Sequence, residues 1–318
     1  MSTTTYIWTE NWATIPQTES GKSNGRTHGV CVSRTTGNII VFHQAVDGLL
    51  TFDPDGQLIS AVGGERWLGA HGMTLVEEDG EEFLWLADQA SKEVAKVTLS
   101  GETVQTIAQP DLPMYTGDEP RKYVPTWVAQ NPVNGEIWVA NGYGSHVVHR
   151  YAKDGSFIDT LDGTDGAGKL REPHGVNFRM AGDTPELWIT DRASHRIQVY
   201  DGDGTFLRSS MSCHSPCCFD FLDDRVVVPE LFTGVKVLDA NSLEVITEIG
   251  ASDRVKPNAD QSKWWPPQAP EGWPNLAGTE HVRSGVFNSP HGGCFAPNGD
   301  IYVVEWIVGG RITRLSAG

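Results

Sequence analysis

The chain has 318 residues, 39% of them hydrophobic and 20% charged, and a formal net charge of −17. So acidic a chain argues against a nucleic-acid partner, whose phosphates call for a basic footprint. No apolar run approaches the roughly 18 residues of a bilayer span, so no membrane partner is expected. The opening segment MSTTTYIWTENWATIP lacks the basic and apolar regions of a signal peptide, and a cytoplasmic location is expected from that.

In chain order, Thr5-Tyr-Ile-Trp8 is a short strand standing before a series of similar units. The first unit, from Arg26, reads RTHGVCVSRTTGNIIVFHQAVDGLLTFDPDG, and the second, from Gly69, reads GAHGMTLVEEDGEEFLWLADQASKEVAKVTLSG. The third starts at Val124 with VPTWVAQNPVNGEIWVANGYGSHVVHRYAKDG. The fourth runs from Leu170 through LREPHGVNFRMAGDTPELWITDRASHRIQVYDGDG. A degenerate fifth begins at Ser215 with SPCCFDFLDDRVVVPELFTGVKVLDANS, and a sixth at Ser289 with SPHGGCFAPNGDIYVVEWIVGGRITRLSAG.

Each unit holds an apolar strand, a Gly/Asn/Asp turn, an alternating strand, a third strand and a closing turn. A fourth strand such as Ser156-Phe-Ile-Asp-Thr leads into the next unit. Four period-two strands repeated every ~40–55 residues describe propeller blades. The repeat resembles the NHL type. An all-β, six-bladed β-propeller follows, as one domain over 1–318. The last unit lacks a fourth strand, so Tyr6 to Trp8 is expected to supply it and to remove the open edges of the ring. The insertion 252–285, with Trp264, Trp265 and Trp273 among several prolines, is expected to form a cap over one mouth of the channel.

The innermost strand of every blade starts at one rim of the channel. The residues at that place are His28, His71, Thr126, His174, Pro216 or Cys217, and His291, so four of the chain's ten histidines share one repeat position. Repetition could have copied a structural His-Gly start. The functional reading is that the imidazoles converge on one ion, imidazole being a common ligand of zinc, iron and copper. Blades two, four and six lie about 120° apart, which makes His71, His174 and His291 a trigonal set. Three protein ligands beside an open position is the pattern of catalytic zinc. The ends of the second strands offer His43, Asp88, Asn141, Asp191, Glu230 and Glu305, either as supports for the imidazoles or as turn caps. Tyr143 and Arg192 follow two of these ends and are candidates for chemistry. The five cysteines fit no disulfide framework, and Cys213 to Cys218, CHSPCC, reads as buried thiols rather than a metal knuckle.

These motifs resemble the lyase domain of peptidylglycine amidation, the peptidyl-α-hydroxyglycine α-amidating lyase family. The likeness covers about residues 20 to 316. The family is a six-bladed propeller with a catalytic zinc on three histidines, and its histidine motifs match AHG at His71, PHG at His174 and SPHG at His291. The resemblance implies that Tyr143, in Asn141-Gly142-Tyr143, is the catalytic base. It further implies that Arg192, in Asp191-Arg192 with Arg196-Ile197-Gln198 after it, grips a substrate carboxylate. One divalent transition ion is expected, zinc with iron as the alternative.

The chain departs from the family at several places. Gln44 replaces an arginine that follows Phe-His, here Phe42-His43. Gly292 replaces an aspartate that supports calcium in the family, so calcium is not expected. Ser289 and Gly144 stand where a methionine and a cysteine would be. Gln44, His43, Arg26 and His28 are therefore expected to help bind an altered substrate, a small molecule or short peptide. Two other readings stay open, a hydrolase or lactonase on a six-bladed propeller and a non-catalytic NHL-type scaffold.

Overall fold

The computed structural model describes residues 5–116, 118–251 and 282–318. Six four-stranded antiparallel sheets stand in a ring, a six-bladed β-propeller. Blade one is β2–β5 (Thr27–Val32, Ile39–His43, Leu49–Phe52, Leu58–Val62) and blade two is β6–β9 (Ala70–Glu78, Glu81–Asp88, Val94–Thr98, Thr103–Ile107). Blade three is β10–β13 (Trp127–Gln130, Ile137–Asn141, Val147–Tyr151, Phe157–Leu161), and blade four is β14–β17 (Pro173–Ala181, Thr184–Asp191, Arg196–Asp201, Phe206–Ser210). Blade five is β18–β21 (Asp220–Leu222, Arg225–Glu230, Gly234–Asp239, Val245–Ile249), and its inner strand is the shortest of the six. Blade six takes β22–β24 (Pro290–Phe295, Ile301–Glu305, Ile312–Ala317) and, as its outer strand, β1 (Tyr6–Thr9) from the other end of the chain.

The expected closure is therefore present. Tyr6 pairs with Ala317 and Trp8 with Leu315, antiparallel. The Trp8 ring lies 4.4 Å from that of Phe287, which ties the strand to the blade-six core. One element was not foreseen, the six-residue helix α1 (Glu19–Asn24), whose first turn is capped by Thr18 Oγ1 accepting from Gly21 N at 3.0 Å. The cap expected at 252–285 falls almost wholly outside the described residues.

Burial explains why the strands alternate as they do. Middle strands are packed by neighbouring blades on both faces, so Trp85, Trp138 and Trp188 are at most 1% exposed. Outer strands face water on one side, and Phe206–Ser210 alternates accordingly. In blades one to four the turn before the outer strand carries Gly56, Gly101, Gly155 and Gly204, with φ of +87° to +88°. Only glycine adopts that conformation without strain, which is why the closing Asp-Gly or Ser-Gly recurs in the sequence.

Candidate functional site

Every ring histidine sits on a β-bulge. The pairing of the first two strands slips between Thr27 and Gly29, Ala70 and Gly72, Pro173 and Val176, and Pro290 and Gly292. A bulge re-aims the side chain it carries, and here it turns His28, His71, His174 and His291 inward. The following glycine has a separate role. A Cβ on Gly72 would lie 2.3 Å from Thr126 O, on Gly175 2.4 Å from Cys217 O, and on Gly292 2.3 Å from His28 O. Neighbouring inner strands touch at these points, so His-Gly is a steric requirement as well as a functional one. Gly292→Ala is expected to cost about 1–3 kcal/mol of stability through overpacking, measured by denaturant unfolding.

The same close approach orients the rings. His71 Nδ1 lies 2.7 Å from Thr126 O, His174 Nδ1 2.7 Å from Cys217 O, and His291 Nδ1 3.1 Å from His28 O. A carbonyl only accepts, so each Nδ1 carries the proton and each Nε2 keeps a lone pair. The ring centroids of these three stand 4.7, 4.8 and 4.9 Å apart. His28 joins them at 4.9 Å from His71 and 4.6 Å from His291. Among the described residues the donor atoms fall within 4.8 Å of one another in two sets, His28 with His71 and His291, and His174 with Cys217 and His291; the expected trio of His71, His174 and His291 is split between them, with His291 common to both. All four imidazoles are at most 1% exposed.

Tyr143 Oη lies 3.1 Å from His71 Nε2, 3.1 Å from His174 Nε2, and accepts from Arg192 Nη2 at 2.9 Å. Both flanking glycines are needed to place it. A Cβ on Gly142 would come within 2.2 Å of Pro173 O, and one on Gly144 within 2.2 Å of Asn141 Oδ1. The phenol has one proton and meets two lone pairs, so the cluster has more acceptors than donors. Protonating the imidazoles does not correct this cheaply. Burial first, then the neighbouring histidines and Arg192, hold His71, His174 and His291 well below the usual imidazole range, and His28 is pushed down to about 3. A buried set of neutral nitrogens with surplus lone pairs fits a divalent transition ion.

Two site residues escaped the sequence reading. Glu172 ion-pairs with Arg192, accepting from its Nε at 2.7 Å and from Nη2. Burial pushes the Tyr143 phenol up to about 12, with Arg192 pulling down and Glu172 pushing further up. The second is Trp127, whose ring stands 6.2 to 6.4 Å from those of His71, His174 and His291. It fills blade three where the histidine-bearing blades have glycine, and so floors the site. Beyond it a cavity of about 880 Å³, lined by Met73, Phe178 and Asp220 among others, opens at the other end of the inner strands and takes no part in the cluster. A hint was available in the sequence, since Thr126-Trp127 occupies the His-Gly position.

The second-strand ends prove to be caps. Asp88 accepts from Gly69 N, Asn141 from Val124 N, Asp191 from Arg171 N, Glu230 from His214 N and Glu305 from Asn288 N, at 2.6 to 2.9 Å. Each pins the chain just ahead of its ring residue, while the imidazoles are oriented by carbonyls instead. His43 is not brought to the cluster; it is buried beneath Gly21 and Gly25, with Nδ1 3.2 Å from Asp47. Arg26 stays at the rim, bonded to Asn24 and lying 4.9 Å over the Trp306 ring. Gln44 does reach in, its Oε1 2.9 Å from His28 Nε2. All five cysteines are buried and free, and Cys217 alone stands within the imidazole ring.

No family model matches the chain. It is similar to peptidyl-glycine α-amidating monooxygenase B of Xenopus laevis, 29% identical over 159 residues, which is 48% of this chain and 17% of that protein. It is also similar to human NHL repeat-containing protein 3, 26% identical over 210 residues, 59% of this chain and 56% of that protein. The chain thus spans only 17% of the amidating relative's length. Among solved structures, virginiamycin B lyase from Staphylococcus aureus superposes with a TM-score of 0.58 at 13% identity, over 98% of this chain and all of the other. A gluconolactonase from Xanthomonas campestris gives 0.61 at 12% identity, over 93% and 88%. At such identities these two show the fold alone.

Proposed function

We propose that the chain is a metal-dependent lyase that cleaves the C–N bond of an α-hydroxyglycine or similar small carbinolamide bearing a carboxylate. The observation that carries this reading is the convergence of Tyr143 Oη on His71 Nε2, His174 Nε2 and Arg192 in one buried cluster. His71, His174 and His291 would hold the ion, zinc or iron, whose chemistry is Lewis acidity toward a substrate oxygen. Tyr143 Oη, as the phenolate that Arg192 and a bound cation would favour, would take the proton of the substrate hydroxyl and hand it on to the leaving nitrogen. The C–N bond then breaks, the carbonyl of glyoxylate forms, and the leaving nitrogen is protonated to give the amide.

Arg192 would hold the carboxylate, and its position explains a restriction. Glu172 occupies the Nε and Nη2 edge of the guanidinium, so a substrate carboxylate approaches through Nη1 or displaces Glu172. Glu172→Gln removes a competing anion and is expected to lower KM for a carboxylate substrate several-fold with little change in kcat, which steady-state kinetics on the acid and its methyl ester would check. An axial ion held by carboxylates, as a lactonase reading would need, is disfavoured because Asp88, Asp191, Glu230 and Glu305 are engaged by backbone N–H groups.

The test has two parts. Elemental analysis of the purified chain is expected to find about one transition ion, and an α-hydroxyglycine is expected to release glyoxylate. A chain that neither holds nor takes up metal, or that leaves the substrate intact when loaded, overturns the proposal.

A further inference from the structure

The sequence leaves open whether Pro216 or Cys217 takes the rim position at which four other blades carry histidine. The collar decides between them. A ring histidine gives its Nδ1 proton to the backbone carbonyl of the next blade's rim residue: His71 to Thr126 O, His291 to His28 O, and His174 to Cys217 O. The residue before the rim position pairs with the end of the second strand, as Pro173 does with Asp191 and Pro290 with Glu305. In blade five that residue is Pro216, bridged to Glu230. Cys217 is therefore the counterpart of the histidines in its blade.

Its sulfur reaches the cluster. Cys217 Sγ and one ring nitrogen each of His174 and His291 lie within 4.8 Å of one another, and all three side chains are buried. His71 belongs to the other close set, with His28, so the atom that completes a close trio with His174 and His291 is this sulfur. The thiol is a weak donor and its hydrogen bond is long, 3.7 Å to Ser215 O. Arg192 also stands beside the sulfur. A thiolate there lowers the repulsion that a dication meets from the guanidinium.

Resting on the lyase reading for the presence of an ion, and on nothing else in it, we propose that Cys217 binds that ion as a thiolate, in one donor set with His174 and His291. Binding exchanges the thiol proton for the metal: the S–H bond breaks, a metal–sulfur bond forms, and the proton leaves to solvent. One thiolate and two neutral imidazoles leave a single positive charge on a dication. Three such donors leave the fourth place of a tetrahedral ion open, and Tyr143 Oη, 3.1 Å from His174 Nε2, stands beside the set. Sulfur with imidazole is a ligand combination of zinc, so the choice between zinc and iron narrows to zinc.

The experiment loads the purified full chain, kept reduced and free of oxygen, with zinc for X-ray absorption and with cobalt(II) for optical spectroscopy. The zinc-loaded native chain is expected to show one sulfur neighbour at about 2.3 Å beside nitrogens at about 2.0–2.1 Å. The cobalt-loaded chain is expected to show an intense near-ultraviolet sulfur-to-cobalt charge-transfer band. Cys217→Ser is expected to lose that band and to weaken zinc binding more than about 100-fold, the upper end of what losing a residue that only orients a ligand costs. Cys213→Ser, which removes a buried thiol outside both donor sets, is expected to keep the band and the affinity. Should Cys217→Ser fail to fold, the sulfur count of the native chain decides. Zinc held without a sulfur neighbour, or a band that survives Cys217→Ser, overturns the thiolate donor and leaves a histidine site standing. No metal bound to the native chain overturns this proposal and the lyase reading together.

Discussion

Replacing Tyr143 with phenylalanine is expected to lower the rate of glyoxylate release about 10²–10⁴-fold, the range lost with a positioned proton acceptor, while the chain stays folded and keeps its metal. The ring would retain its place, because the glycines on either side and the cation–π contact with Arg192, 5.2 Å from the ring centre, do not involve the hydroxyl. The lone pairs of His71 and His174 lose a hydrogen-bonding neighbour, which leaves them at least as available to a cation. The phenol is pushed up to about 12 by burial against the pull of Arg192, and positive charge placed among the imidazoles acts in the same direction as Arg192. Measuring kcat and bound metal on the same preparation separates the two roles. A variant with unchanged metal and a kcat near the parent's would assign the proton transfer to another group.

How much of this was legible beforehand depended on whether a feature repeats. The blades were, because alternating strands recur in every unit and an Asp-Gly or Ser-Gly turn closes the first four, and the closing strand followed from counting three strands in the last one. The ring position was legible for the same reason: His28, His71, His174 and His291 all precede a glycine. What repetition does not carry was missed. Glu172 lies just ahead of an inner strand, at φ +65°, and meets Arg192 only because the hairpin of blade four folds the two together. Trp127 could be read as an ordinary core aromatic until three histidine rings stood around it. The pairing of His28 with Gln44 joins the first strand of blade one to the residue just past its second and depends on the bulge at His28, which strand alternation does not reveal. His43 was misplaced for the converse reason. It ends a second strand as Asp191 does, but α1 covers it and Asp47 is its neighbour.

His174→Ala is expected to bring bound metal from about one ion per chain to near zero at micromolar protein, and glyoxylate release with it. Losing a residue that only orients a ligand costs about 10–100-fold in metal affinity, so losing a direct donor should cost more, on the order of 10³-fold. The fold should survive, because the other carbonyl contacts of the collar remain. Cys217 O, which His174 now engages, still receives Thr190 Oγ1 at 3.3 Å. The loss of one buried hydrogen bond and one ring then amounts to a few kcal/mol at most, which thermal unfolding of the metal-free proteins would measure. Added free imidazole supplies the control. The cavity left beside Tyr143 and Cys217 matches the ring that was removed, so millimolar imidazole is expected to restore part of the metal binding to His174→Ala and none to a variant lacking both His174 and His71. Full metal occupancy in His174→Ala without imidazole would mean that the ion rests on His28, His71 and His291 instead, whose nitrogens the collar holds within 4.8 Å of one another.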